Sequence, residues 1–254
     1  MPAHHKQIPA IGTLGKDSNG IREALCVSMA RYGLASLDCA PRYENLDEVR
    51  KSLRQTSLER ECLRITSKIN AARQEHSTVQ RSVLEDLESI GVDYLDCYLI
   101  HSPRYRGYAQ TWRDMQEEKS LGRIVEMGVA NFEPDDLSML PMPRPAVMQV
   151  SAPQFYSGSC PKPGRSLRIE LYGVISFFLR LPSETRGEFS ALCADLELNE
   201  DEGILISCGY EGVIPVLGTS RVDRLERQIK AYDRGLERPD FAARLSGCLR
   251  RLYA

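Results

Sequence analysis

Long apolar runs are missing from this sequence. No stretch approaches the ~20 residues a helix needs to cross a bilayer, and the opening Met1-Pro2-Ala3-His4-His5-Lys6 lacks the apolar core of a signal peptide. Both point to a cytoplasmic protein with no membrane partner. A surplus of one charge is missing as well. Lys and Arg total 33 against 35 Asp and Glu, and they are scattered rather than blocked, which argues against a nucleic-acid partner. Cys-x-x-Cys is missing although the chain holds 8 cysteines. Several sit in apolar runs (Leu25-Cys26-Val27, Cys97-Tyr98-Leu99) and read as reduced, core-filling thiols. Without a His, Cys or carboxylate cluster at ligand spacing, no metal is implied. Gly-x-Gly-x-x-Gly is missing, which weakens an open, doubly wound nucleotide-binding sheet. Linkers, low-complexity segments and fixed-period repeats are missing too, so residues 1–254 read as a single domain.

What is present is an alternation. Short apolar strands are expected at 8–14, 34–40, 62–68, 94–100, 124–129, 146–150, 173–179 and 213–217. Between them lie segments of helical spacing. Ile21, Leu25, Met29 and Tyr32 share one face, as do Val79, Val83, Leu87 and Ile90 behind a cap at Ser77; Gly33 and Gly91 stop these two helices. Further helices are expected over 184–196, 201–210, 222–232 and 241–253. Alternation of this kind implies a parallel sheet, and eight units imply an α/β fold closed as a (β/α)8 TIM barrel.

In such a barrel the active site lies at the C-terminal strand ends. Those ends carry Asp38 with Tyr43 on its loop, Lys68, His101, Asn131, Gln149 and Gly218-Thr219-Ser220-Arg221. An unperturbed Tyr, with a pKa near ~10, is a poor acid at neutral pH. A neighbouring ammonium would favour phenolate and lower that value. A carboxylate would hold the ammonium charged and oriented, and an imidazole would donate to the oxygen that the phenol protonates.

Five motifs bear a resemblance to a known family. Leu37-Asp-Cys-Ala-Pro-Arg-Tyr43, Ile65-Thr-Ser-Lys68, Asp93-Tyr-Leu-Asp-Cys-Tyr-Leu-Ile-His-Ser-Pro103, Gly122-Arg-Ile-Val-Glu-Met-Gly-Val-Ala-Asn-Phe132 and Pro145-Ala-Val-Met-Gln149 resemble aldo-keto reductase motifs, in that family's order. The resemblance implies a catalytic tetrad of Tyr43, Lys68, Asp38 and His101, with Tyr43 as proton donor to a small aldehyde or ketone. It implies that Asn131 and Gln149 hold a nicotinamide carboxamide. The segment 213–224 resembles the family's adenosine-phosphate site, with Thr219, Ser220 and Arg224 on the 2′-phosphate and Gly218, like Asp38, among the cofactor-binding residues, so NADPH is the cofactor implied. The family's aromatic that stacks on the nicotinamide has no obvious counterpart, and Phe177 or Phe178 is the substitute considered. Ala130 stands where a Ser is common, and Arg227 and Gln228 stand where an acidic residue and an Asn are usual. The chain is short, which suggests an open pocket. A monomer or weak homo-oligomer is expected.

Two other readings fit the same residues. One is a barrel that binds NADPH as a regulatory subunit, suggested by the altered adenine motif. The other uses Tyr43 and His101 for acid-base chemistry without hydride transfer. Elsewhere, Trp112 reads as packing, His76 as an exposed residue at a helix start, and His4 and His5 as a disordered terminus.

Overall fold

The computed structural model describes residues 7–237 and 239–254; His4 and His5 lie outside the described residues. The first half runs β1 (Ala10–Gly12), α1 (Ser18–Tyr32), β2 (Ala35–Asp38), α2 (Leu46–Gln55), β3 (Leu63–Ile69), α3 (Ala71–His76), α4 (Val79–Ile90), β4 (Leu95–Ile100), α5 (Tyr108–Ser120), β5 (Ile124–Ala130) and α6 (Pro134–Ser138). The second runs β6 (Val147–Ser151), α7 (Ala152–Tyr156), β7 (Arg168–Tyr172), α8 (Val174–Leu179), α9 (Ser183–Asp195), α10 (Glu200–Glu211), β8 (Ile214–Leu217), α11 (Val222–Glu237) and α12 (Pro239–Tyr253). Among the described residues these strands form one closed parallel barrel in sequence order, β8 pairing back onto β1. This is the expected (β/α)8 architecture. None of the described helices is long and apolar enough to cross a membrane.

Local chemistry sets the helix ends. The Asp17 carboxylate accepts from Gly20 N at 2.8 Å to open α1, and Gly33, at φ 66°, closes it in the left-handed conformation that glycine tolerates. Thr78 rather than Ser77 caps α4, its Oγ1 accepting from Arg81 N at 3.1 Å. His76 is exposed as expected but ends α3 instead of starting a helix. The main core lies between sheet and helices, where Trp112 is fully buried and donates its indole N–H to Pro143 O at 3.0 Å.

The expected seventh strand at 173–179 is corrected. Residues Val174–Leu179 form helix α8, and the strand lies just before it, at Arg168–Tyr172. A short apolar run such as Val-Ile-Ser-Phe-Phe-Leu has no period that separates strand from helix. The true strand, Arg-Ile-Glu-Leu-Tyr, alternates instead. Ile169 and Leu171 are fully buried in the main core, while Glu170 bonds Gln149 on the paired strand β6. Arg168 bonds Glu126 at 2.8 Å and Glu170 at 3.4 Å, so β7 carries charged members that resemble a loop in one dimension.

Helices α10 and α11 pack through glycine. A Cβ on Gly235 would overlap the Ile206 carbonyl, and one on Gly209 would overlap the Tyr232 carbonyl oxygen. Main chain cannot yield as a side-chain tip can. Gly235→Ala is therefore expected to cost about 1–3 kcal/mol, seen as a lower urea midpoint. Gly187, within α9, has open space around its Cβ position. Gly187→Ala is expected to raise stability by about 0.5–1 kcal/mol in the same assay.

Candidate active site

Strand register brings the tetrad together. Asp38 ends β2, opposite Thr66 of β3, and Lys68 follows two residues along the same strand. The Lys68 ammonium, fully buried, donates to Asp38 Oδ1 at 2.7 Å, to Cys39 O at 3.2 Å and to Tyr43 Oη at 3.1 Å. Tyr43 Oη in turn faces Asp38 Oδ2 at 3.4 Å. The loop from β2 to α2 carries Tyr43 back over the barrel mouth in a single 3-10 turn, Pro41–Tyr43, that closes with Glu44 in the left-handed conformation. His101 directly follows β4, its N–H bonded to Ile69 O at 2.9 Å, and its ring stands edge-on to Tyr43 with centroids 6.3 Å apart.

Electrostatics set the protonation states. Burial pulls the Lys68 ammonium down, but the Asp38 carboxylate and the Tyr43 oxygen outweigh it and hold its pKa above the usual lysine value. Burial is also the largest influence on Tyr43, followed by the Asp38 charge; together they raise the phenol to about 12 against the pull of Lys68. This corrects the expectation of a lowered tyrosine pKa: in this protein the neighbouring ammonium loses to desolvation, and Tyr43 is a well-protonated acid. Burial, and then the Lys68 charge, lower His101 to about 4, so its imidazole is neutral at physiological pH.

Asn131 and Gln149 reach the same mouth, already engaged. Asn131 adopts φ 62° just after β5, donates from Nδ2 to His101 O at 2.9 Å, and accepts the Tyr172 hydroxyl at 2.6 Å. Gln149 donates from Nε2 to Asp38 Oδ1 at 2.8 Å and to Glu170 Oε2 at 3.1 Å. The expected aromatic wall is corrected with β7. Phe178 is fully buried in α8, packed edge-on against Phe189, and does not reach the cavity. Phe177 does line it, as does Tyr172 at the true strand end. The period-two alternation of 168–172 was the signal that pointed to Tyr172.

A cavity of about 870 Å³ joins these groups to the other half of the mouth. At one end its wall holds Asp38, Tyr43 and His101; at the other it holds Gly218, Thr219, Ser220 and Arg224, which precede or begin α11. Arg224 is tied there to Asp201 through Nε at 2.8 Å and Nη2 at 2.5 Å, and Gln228 shares that carboxylate at 3.3 Å. Beneath the loop lies Lys16, which the motifs did not reveal. Only 6% exposed, it has its Nζ 3.5 Å from Leu217 O, and burial lowers it to about 8. Polar groups beside Asp38 and hydroxyls and cations beside β8, lining one cavity, suit a dinucleotide. The buried His101 Nδ1 has no hydrogen-bond partner among the described residues.

A family model described as the Aldo/keto reductase family matches residues 22–155. The chain is 28% identical to the NAD/NADP-dependent indole-3-acetaldehyde reductase of Schizosaccharomyces pombe, over 92% of this chain and 88% of that protein. It is 35% identical to the glyoxal reductase of Bacillus subtilis, over 49% of this chain and 46% of the relative, so there the match spans under half of the relative's length. Among solved structures, an aldo-keto reductase from a Medee basin deep-sea metagenome superposes with a TM-score of 0.75 at 18% identity, covering 96% of this chain and 90% of its own. A Bombyx mori aldo-keto reductase in complex with NADP superposes with a TM-score of 0.74 at 22% identity, covering 95% and 88%. At these identities the two superpositions speak to the fold alone.

The depressed His101 pKa has a measurable consequence. Unfolded histidine titrates near ~6.5, and folded His101 near 4. Between those values the unfolded chain binds the extra proton, so stability falls as pH drops through that window. His101→Gln is expected to abolish this loss, on the order of 3 kcal/mol between pH ~6.5 and ~4, read from urea unfolding at pH values across the window. An unchanged slope would mean that His101 is not held neutral.

Proposed function

The chain belongs to the aldo/keto reductase family, and on that premise we propose that it reduces a small aldehyde or ketone to an alcohol with a reduced nicotinamide dinucleotide. The carrying observation is the Lys68 ammonium, held between Asp38 Oδ1 at 2.7 Å and Tyr43 Oη at 3.1 Å in the wall of a cavity. When bound, the dinucleotide supplies the hydride that adds to the carbonyl carbon. The protein's own groups handle the oxygen. Tyr43 donates its proton to that oxygen as negative charge develops, since an alkoxide is a stronger base than a phenolate. Lys68 stabilises the phenolate left behind, and Asp38 keeps the ammonium charged and aimed. His101, neutral, offers its one N–H to the same oxygen and loses no charge in doing so.

Asn131 and Gln149 are the groups for the nicotinamide carboxamide. Tyr172 offers the ring for its face, oriented by its bond to Asn131. Thr219, Ser220 and Arg224 serve the 2′-phosphate of NADPH, with the Lys16 ammonium adding positive charge beneath. One observation favours NADH as a second reading: Asp201 already occupies the Arg224 guanidinium and stands as a like charge to a phosphate. Cys26, expected to fill the core, is instead exposed, and a free exposed thiol suits a cytoplasmic, reducing setting.

Tyr43→Phe is expected to lower kcat by about 10²–10⁴ on any carbonyl turned over, while dinucleotide affinity, followed by the fluorescence of Trp112, holds within a few-fold. Turnover surviving in that variant would remove Tyr43 as the proton donor. Titration with NADPH and with NADH separates the two cofactor readings. Asp201→Asn, which removes the competing charge from Arg224, is expected to raise the NADPH-to-NADH affinity ratio several-fold. An unmoved ratio would take Arg224 out of phosphate recognition.

A further inference from the structure

A second cavity, of about 770 Å³, opens beside the tetrad between the loops that follow β2, β3 and β4. It shares His101, Asn131 and Tyr172 with the first. Two guanidiniums line it, Arg42 and Arg104, and no carboxylate does. Several arginines beside the other cavities are tied to carboxylates, Arg224 to Asp201, Arg221 to Asp223 and Arg168 to Glu126 and Glu170, while Arg180 of the first cavity lies over the Phe177 ring. Arg42 and Arg104 are exposed and have no carboxylate partner among the described residues. Their fields reach the site, since both push His101 toward its neutral form, behind burial and Lys68. Each arginine also rides on a loop that carries a reacting group. Arg42 directly precedes Tyr43, and Arg104 follows His101 by three positions.

We propose that the carbonyl substrate carries an anionic group, a carboxylate or a phosphate monoester, which Arg42 and Arg104 hold in this second cavity while the carbonyl lies against Tyr43 and His101. The inference rests on the reductase reading above and specifies its substrate. Guanidinium forks match both anions in shape and charge. Two of them on different loops fix the anion at a set distance from the acid, so the charge orients the substrate as well as attracting it. The reaction is unchanged: hydride to carbon, and the Tyr43 proton to oxygen.

The test compares neutral and charged forms of one aldehyde. In the wild type, kcat/KM for para-carboxybenzaldehyde is expected to exceed that for its methyl ester by about tenfold or more, as one to two net charge-assisted bonds would give. In Arg42→Ala/Arg104→Ala that ratio is expected to fall toward one, and Arg42→Lys/Arg104→Lys is expected to restore part of it. Glyceraldehyde against its phosphate ester forms the second arm, and the larger ratio identifies the anion. A wild-type ratio near one in both arms overturns the anion subsite while leaving the reductase reading intact. So does a high ratio that the double variant leaves unmoved. Failure to turn over any aldehyde with either nicotinamide cofactor overturns the parent reading. In that case calorimetry with para-carboxybenzyl alcohol decides the subsite: binding that the double variant loses upholds it, and no binding overturns it.

Discussion

The constraint on which this molecule depends is the buried ammonium of Lys68. Lys68 is fully buried, and a desolvated ammonium keeps its charge best against a well-placed carboxylate. Asp38, 3% exposed and 2.7 Å away, is that carboxylate. Removing either partner would strand the other. The pair ties the end of β2 to the end of β3 and fixes where Tyr43 must lie to share the charge. Gln149 bonds the same Asp38 from β6, and Glu170 and Arg168 continue the polar chain through β7. A file of polar groups thus runs from the C-terminal mouth of the barrel down its interior to the start of β7, each member bonded to the next.

That arrangement sorts protonation states in a way that serves reduction. The phenol is kept protonated, the ammonium charged and the imidazole neutral, each for a separable reason: burial with an adjacent carboxylate, the carboxylate itself, and burial with adjacent cations. Cations also mark two directions away from the tetrad. Along the first cavity, Lys16, Arg221 and Arg224 gather near the strand-eight loop; in the second, Arg42 and Arg104 have no carboxylate partner among the described residues. A dinucleotide and an anionic carbonyl compound would approach the tetrad from these two sides.

How much of this was legible depends on how local each cause is. The alternation of apolar runs with helical spacing and glycine stops marked seven of the strands, because burial pattern and capping are properties of neighbouring residues. The polar residues at strand ends followed from the barrel, and the structure brings Asp38, Tyr43, Lys68 and His101 to one mouth. The seventh strand was misread because its interior positions are charged. Arg168 and Glu170 are acceptable only because Glu126 and Gln149 stand opposite them. The tyrosine shift was misread because the sequence named the ammonium but not the depth of burial, and burial outweighed it.

The order of the elements, the closure they imply and the residue types at the strand ends were therefore determined by the sequence alone, since each rests on patterns a few residues long. Tertiary structure alone decided that Phe178 packs into the core, that Tyr172 faces the cavity, and that Asn131, Gln149 and Arg224 are already bonded. Those outcomes hang on partners far away in the chain: Tyr172 on a residue 41 positions back, Gln149 on one 111 back, Arg224 on one 23 back. Chain closure joins such pairs in space, and only their distances and burial decide which bond forms.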